Sequence, residues 1–394
     1  MRNFFITTFW GLFVLVSCSK SGSHSDYLLP DDPDNATETL SFGLDQVARI
    51  FAALPLESPQ LQEVYDAVSS SYGNGYDEEY TMKKLLTAPG SGLGDIKTKS
   101  KYNYKTMKDL LTEYLYSQRG TKSGVDDADA FLKELEESDL QIYWPYSEAW
   151  DKESMPIITF DPGYGSEYNY GYKLSYDRLG KLVVDSVYVD ESVAMSAPVW
   201  VINNNRDGES KPLPIFSPEA RAAVESGTKP CAAETKAMNR ILKLKSFTMH
   251  RNYDTWFQGG SEFFIKCGSV NGFSASTEAE LKLYSPSVTD FMLVVPRKYL
   301  HVKREYDAII LTNFTNQLDN LAFLITEDDG GTQTSWKCSA TVKIKSKSYG
   351  FDVDIPYKEN DDIVWRGQLS ANFFQAEDIV HGRFGDVEVE FALE

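Results

Sequence analysis

The sequence predicts an α+β multidomain chain: an N-terminal helical module, then a β-rich module, then a C-terminal antiparallel β-sandwich. Three observations predict it. Apolar residues recur at helical spacing as far as about residue 138. Tyrosine, tryptophan, glycine and proline become dense from about residue 139, and short alternating runs separated by turn residues fill the chain from about residue 241. With 394 residues, 42% hydrophobic and 13% aromatic, the chain has the apolar mass for a substantial core.

The first element is an address. Arg2 supplies a positive charge, and Phe4 to Val16 form a 13-residue apolar run. That run is too short to cross a membrane core as a helix, which takes about 20 residues, so residues 1–17 read as a secretion signal. The tetrad Leu15-Val16-Ser17-Cys18 resembles the lipobox of Bacteroidota-type bacterial lipoproteins. The resemblance implies that Cys18 is acylated, that the lipid bilayer is its partner, and that the protein sits at the outer membrane. In surface-displayed members acidic residues directly follow the cysteine. Here Ser19-Lys20-Ser21-Gly22 stands in their place, so the periplasmic and the cell-surface face both stay open. Residues 18–40, rich in Ser, Gly, Asp and Pro, read as a flexible tether.

Residues 41–138 read as helical. Leu44, Val47, Ile50, Phe51 and Leu54 keep one face apolar until Pro55. Ser58-Pro59 reads as a cap with proline in the first turn, ahead of Leu61, Val64, Tyr65 and Val68. A third helix follows Asp77 through Met82, Leu85 and Leu86, and a fourth carries Met107, Leu110, Leu111, Tyr114 and Leu115. Asp126 or Asp127 caps a fifth. Between the third and fourth lies the glycine-rich stretch Gly90-Ser91-Gly92-Leu93-Gly94. With no strand before it, it reads as a loop rather than a phosphate cradle.

Residues 139–240 read as a tyrosine-rich β module followed by a proline-bearing linker. From 241 to 394, ten runs read as strands, among them "ILKLKSFTM", "SEFFIKCG", "AELKLYS", "LAFLITE" and "VEVEFAL". Sandwich layout with acids at the strand ends resembles a C2-type calcium-binding domain.

Chemistry is sparser. A net charge of −19 argues against nucleic-acid partners. The histidines His24, His250, His301 and His381 are far apart in sequence with no HExxH spacing, and no GxSxG or Walker motif is present. After Cys18 come Cys231, Cys267 and Cys338, without CxxC spacing; they read as buried free thiols, with a Cys267–Cys338 disulfide as the alternative. Two candidate sites remain. Calcium takes six to eight oxygens, and Glu327, Asp328, Asp329, Asp361 and Asp362 fall at strand ends able to supply them. Alternation places Tyr168, Tyr170 and Tyr172 on one sheet face, where rings stack on sugars or peptide prolines. The expected function is a membrane-anchored, non-catalytic protein binding a glycan or protein ligand. The alternative is a secreted glycan hydrolase with paired carboxylates.

Overall fold

The computed structural model describes residues 40–87, 104–118, 127–176, 182–205, 210–215 and 240–394. The signal, Cys18, the tether, the glycine-rich stretch at 90–94, Cys231 and most of the linker lie outside the described residues.

Five helices form where the apolar stripes place them. α1 (Leu44–Ala52) buries Val47, Ile50 and Phe51. α2 (Ser58–Gly73) is capped one residue earlier than expected: Glu57 forms a reciprocal box with Gln60, and Ser58 is already helical. The third helix is preceded by a short strand, β1 (Glu79–Thr81), so that α3 runs only over Met82–Thr87. α4 (Met107–Ser117) starts on a Thr106–Asp109 capping box. α5 (Ala128–Glu137) starts on Asp127, whose side chain accepts from the N–H groups of Asp129 and Ala130.

A boundary at residue 138 is not what the structure draws. β1 pairs antiparallel with β2 (Leu140–Tyr143), so the helical stretch contributes an edge strand to the middle sheet. That sheet continues with β3 (Ile157–Phe160), β4 (Tyr168–Tyr176), β5 (Leu182–Asp190) and β6 (Val199–Asn204), in the order β1-β2-β6-β3-β4-β5. The β3–β6 pair is parallel; the other pairs are antiparallel. Val47, Phe51, Leu61, Leu111 and Leu135 from the helices share one core with Ile142, Trp144, Trp200 and Ile202 from the sheet. Helices this short bury too little alone; the sheet supplies the apolar surface they need.

The C-terminal half is two antiparallel sheets around a second core. One has the order β10-β7-β16-β15, from β7 (Arg240–Met249), β10 (Arg304–Phe314), β15 (Ile379–Phe384) and β16 (Val387–Leu393). The other contains β8 (Ser261–Ser269), β9 (Ser287–Val295), β11 (Leu318–Glu327), β12 (Gln333–Ile344), β13 (Lys347–Lys358) and β14 (Asp362–Ser370), with β11 pairing β8, β12 and β14. Two expectations fail locally. "AELKLYS" is no strand: Glu278–Leu283 forms a 3-10 turn in which no residue is buried, so no apolar face fixes a strand register there. β15 went unread because Gly382 and charged neighbours interrupt its alternation. Cys267 and Cys338 are free thiols, the first buried, and burial raises both thiol pKa values. Glu38–Glu394 forms one compact unit.

Phe391 sits among Phe323, Phe373, Phe374 and Phe384, with ring centroids 5.3 to 6.4 Å away. Phe391→Ala should therefore lower stability by about 3–5 kcal/mol through lost burial and a residual cavity. Equilibrium urea unfolding checks this, and a loss under 1 kcal/mol would mean that the ring cluster relaxes to fill the gap.

Candidate functional site

The middle sheet and the sandwich meet at a seam of polar side chains. Asp77, just before β1, accepts from the Gly260 N–H at 2.6 Å and from the Glu78 N–H at 2.9 Å. Gly259 has φ +120°, and a Cβ there would lie 2.7 Å from Asp77 Oδ2, so only glycine lets the loop approach. Asn203 of β6 donates to the Phe257 and Gln258 carbonyls at 2.8 and 3.1 Å. Arg297 clasps Glu191 at 3.0 and 3.2 Å and donates to the Asp254 carbonyl. Lys298 donates to Glu78 and Glu148.

Inside this seam is a carboxylate centre. Asp254 comes from the loop before β8, Glu262 from the second residue of β8, and Glu327 from the end of β11. One carboxylate oxygen from each lies within 4.8 Å of the others. Glu327 is 1% exposed, and neither of its oxygens has a protein hydrogen-bond donor among the described residues. Two full negative charges no more than 4.8 Å apart repel by at least roughly 3.5 kcal/mol at an effective dielectric of about 20. Burial, and then the neighbouring Asp254 charge, push the Glu327 carboxyl up to about 11. A proton shared with Asp254 is one way to relieve the repulsion; a bound cation is another. Beside the centre is a cavity of about 20 Å³, lined by Asp77, Glu79, Asp161, Asn203, Asp254 and Glu262 among others.

The five acids expected to hold calcium divide. Glu327 joins the centre; Asp362 lies opposite it across the β11–β14 ladder, exposed. Asp328 is buried and held by Lys358 at 2.8 and 2.9 Å, and Asp361 accepts from the Lys358 N–H at 2.9 Å. Asp329 is half-buried. Sequence spacing does not show that Asp254 and Glu262 complete the group. The β8–β11 register does: Glu327 opposes Phe263, and the Asp328 N–H donates to the Glu262 carbonyl at 2.9 Å.

The tyrosines also divide. Tyr168 and Tyr170 are 60% and 62% exposed, but Tyr172 is 4% exposed under α1. Its hydroxyl donates to Asp45 and its ring lies 4.4 Å beneath the Arg49 guanidinium, so it is a packing residue and not a stacking one. Tyr188 takes its place: it opposes Tyr170 across the β4–β5 pair, is 53% exposed, and stacks on Tyr168 at 6.0 Å. A separate cleft of about 550 Å³ lies along the same sheet, lined by Trp144, Tyr146, Trp150, Met155, Lys173 and Met195 among others.

Three histidines that are distant in sequence meet on the outer face of the β10-β7-β16-β15 sheet. His250 and His301 face each other through Nδ1 at 3.1 Å, His250 Nε2 lies 3.4 Å from Glu388, and His381 Nδ1 lies 3.2 Å from Glu390. The same acids also bind Arg383 and Lys303, as on an ordinary polar sheet face.

Among the described residues, no helix is long and apolar enough to cross a membrane. Compared with known protein families, curated proteins and solved structures, the chain matches none.

Glu78 gives the seam a pH dependence. Burial, and then Asp77, push its carboxyl up to about 8 against the pull of Lys298. Folded chain thus holds a proton that unfolded chain has released, so stability should fall as pH rises between about 4.5 and about 8, by at most about 1.4 kcal/mol per pH unit. Glu78→Gln should make that slope shallower in urea unfolding across this range, leaving the share of Glu327, while Glu148 still holds Lys298. An unchanged slope would assign the titration elsewhere.

Proposed function

We propose that this chain is an envelope lipoprotein, anchored at the outer membrane through acylated Cys18, whose middle sheet binds sugar rings without transforming them. The observation that carries the binding reading is the open ladder of Tyr168, Tyr170 and Tyr188, three rings more than half exposed on one face of a hairpin. Exposed tyrosines on a rigid strand pair offer flat apolar faces with a hydroxyl at each edge, and little conformational entropy is lost when they are covered. The separate cleft of about 550 Å³ on the same sheet falls in the size range of ligand sites.

Glycan hydrolysis is the weaker reading. It needs two carboxyls flanking a glycosidic bond in a cleft that admits the sugar. Of the three carboxylates that do converge, Asp254 and Glu262 border a cavity of about 20 Å³, room for about one water-sized guest. Asp151, in the larger cleft, is occupied by Ser154 and the Glu153 N–H.

Two measurements test the proposal. Affinity electrophoresis against a panel of neutral and acidic polysaccharides should retard the chain with at least one of them. Each of Tyr168→Ala and Tyr188→Ala should weaken that binding roughly fivefold, about 1 kcal/mol, without lowering the melting temperature, since the rings are exposed. Binding unaffected by either change would sink the ladder as the site. Fatty-acid labelling in a bacterial host should mark the chain, and Cys18→Ala should abolish the label; retained label would place the anchor elsewhere.

A further inference from the structure

We propose that Asp254, Glu262 and Glu327 hold a calcium ion that fastens the seam between the middle sheet and the sandwich. The inference does not rest on the sugar-binding reading. Three carboxylates together are not by themselves a site; the second observation is Glu327, fully buried, aimed into the group, with neither oxygen meeting a protein donor among the described residues. A proton shared with Asp254 would satisfy one oxygen at most. Asn203 Oδ1, which borders the same cavity, is a further buried acceptor with no donor. So the groups gathered here are acceptors, and what acceptors in common require is a cation.

Donor chemistry and size choose the ion. Every group is oxygen, with no nitrogen or sulfur ligand, which selects a hard cation over zinc or copper. Calcium binds oxygens at about 2.4 Å, so two of its ligands stand as far as about 4.8 Å apart; magnesium, at about 2.1 Å, draws them within about 4.2 Å. Three oxygens within 4.8 Å of one another fall inside the reach of calcium, the more permissive of the two ions in geometry. The adjoining cavity of about 20 Å³ gives space for roughly one completing water. Nearby cations are engaged by other acids: Lys298 by Glu78 and Glu148, Arg297 by Glu191, Lys358 by Asp328. An ion here would join the loop that carries Gly259 and Gly260, the start of β8 and the end of β11, next to where Asp77 grips that loop.

The test uses the full-length chain, stripped with EDTA and titrated with calcium chloride alone. Calorimetry should show about one equivalent bound, and thermal melts should rise by several degrees at about 10 mM calcium, above the 10⁻⁴–10⁻³ M dissociation constants of extracellular calcium modules. Terbium should give luminescence sensitised by Trp256, two residues from Asp254, and calcium should quench it by displacement. Glu262→Gln and Glu327→Gln should each cut calcium affinity at least tenfold. In EDTA, Glu327→Gln should melt close to the unaltered chain, since glutamine keeps the size of the side chain and can donate to a neighbouring carboxylate, which shows that the variant folds. Three results would overturn the proposal: no heat and no melting shift at about 10 mM calcium, binding that survives both variants unchanged, or an equal response to magnesium.

Discussion

The body of this protein depends on the grip of Asp77 on the Gly260 N–H. Asp77 belongs to the helical and middle-sheet half, and Gly260 opens the sandwich half one residue before β8. The contact demands glycine twice over: a Cβ at Gly259 would meet Asp77, and one at Gly260 would lie 2.8 Å from Pro296. Once the loop is held there, Phe257 and Gln258 present their carbonyls to Asn203, and Arg297 reaches Glu191 and the Asp254 carbonyl. A buried carboxylate with two backbone donors is fully satisfied, so this part of the seam is stable. Glu327, also buried, lacks such donors, and the contrast sets it apart from an acid whose role is structural.

Local elements were legible in the amino-acid sequence wherever a single period governed them. The α1 stripe, the Asp127 cap and the alternation of β12 against β13 each follow from residues within a few positions of one another. Even the β12–β13 turn is local: Ile344 pairs Lys347 and Lys345 takes φ 57°. What stayed hidden is non-local. Nothing in residues 79–81 announces a strand, because β1 exists only through its pairing with β2. Tyr172 has the same spacing as Tyr168 and Tyr170, and only the placement of α1 above it turns a candidate stacking ring into a core residue.

The sites follow the same division. A scan for strand-end acids found Glu327 but grouped it with its chain neighbours, whereas the strand twist sends Asp328 to Lys358 and leaves Glu327 with Asp254 and Glu262. The signal that could have found the group is the pairing of β8 with β11, which brings two acid-bearing strand ends together. The histidines show the same effect: His250 and His381 are brought together because β7 and β16 pair and β16 and β15 pair, and His301 joins them because its N–H donates to the Met249 carbonyl at 2.8 Å. Side chains within a hairpin can be read from spacing; those joined by long connections need the register.

Charge sets the cost of the seam. A chain of net charge −19 already repels itself, and each further buried carboxylate adds to that repulsion with solvent screening removed. Most acids here escape the cost by lying exposed or by pairing, as Asp307 does with Lys243 and Lys245 and Glu390 with Lys303. Glu327 does neither, at a position where a leucine or glutamine would fill the same space without charge. A divalent cation, as proposed above, would reverse the balance, since it offsets two charges at once. On the calcium proposal, carboxylates costly without the ion and favourable with it would tie the rigidity of the seam to the ion's presence.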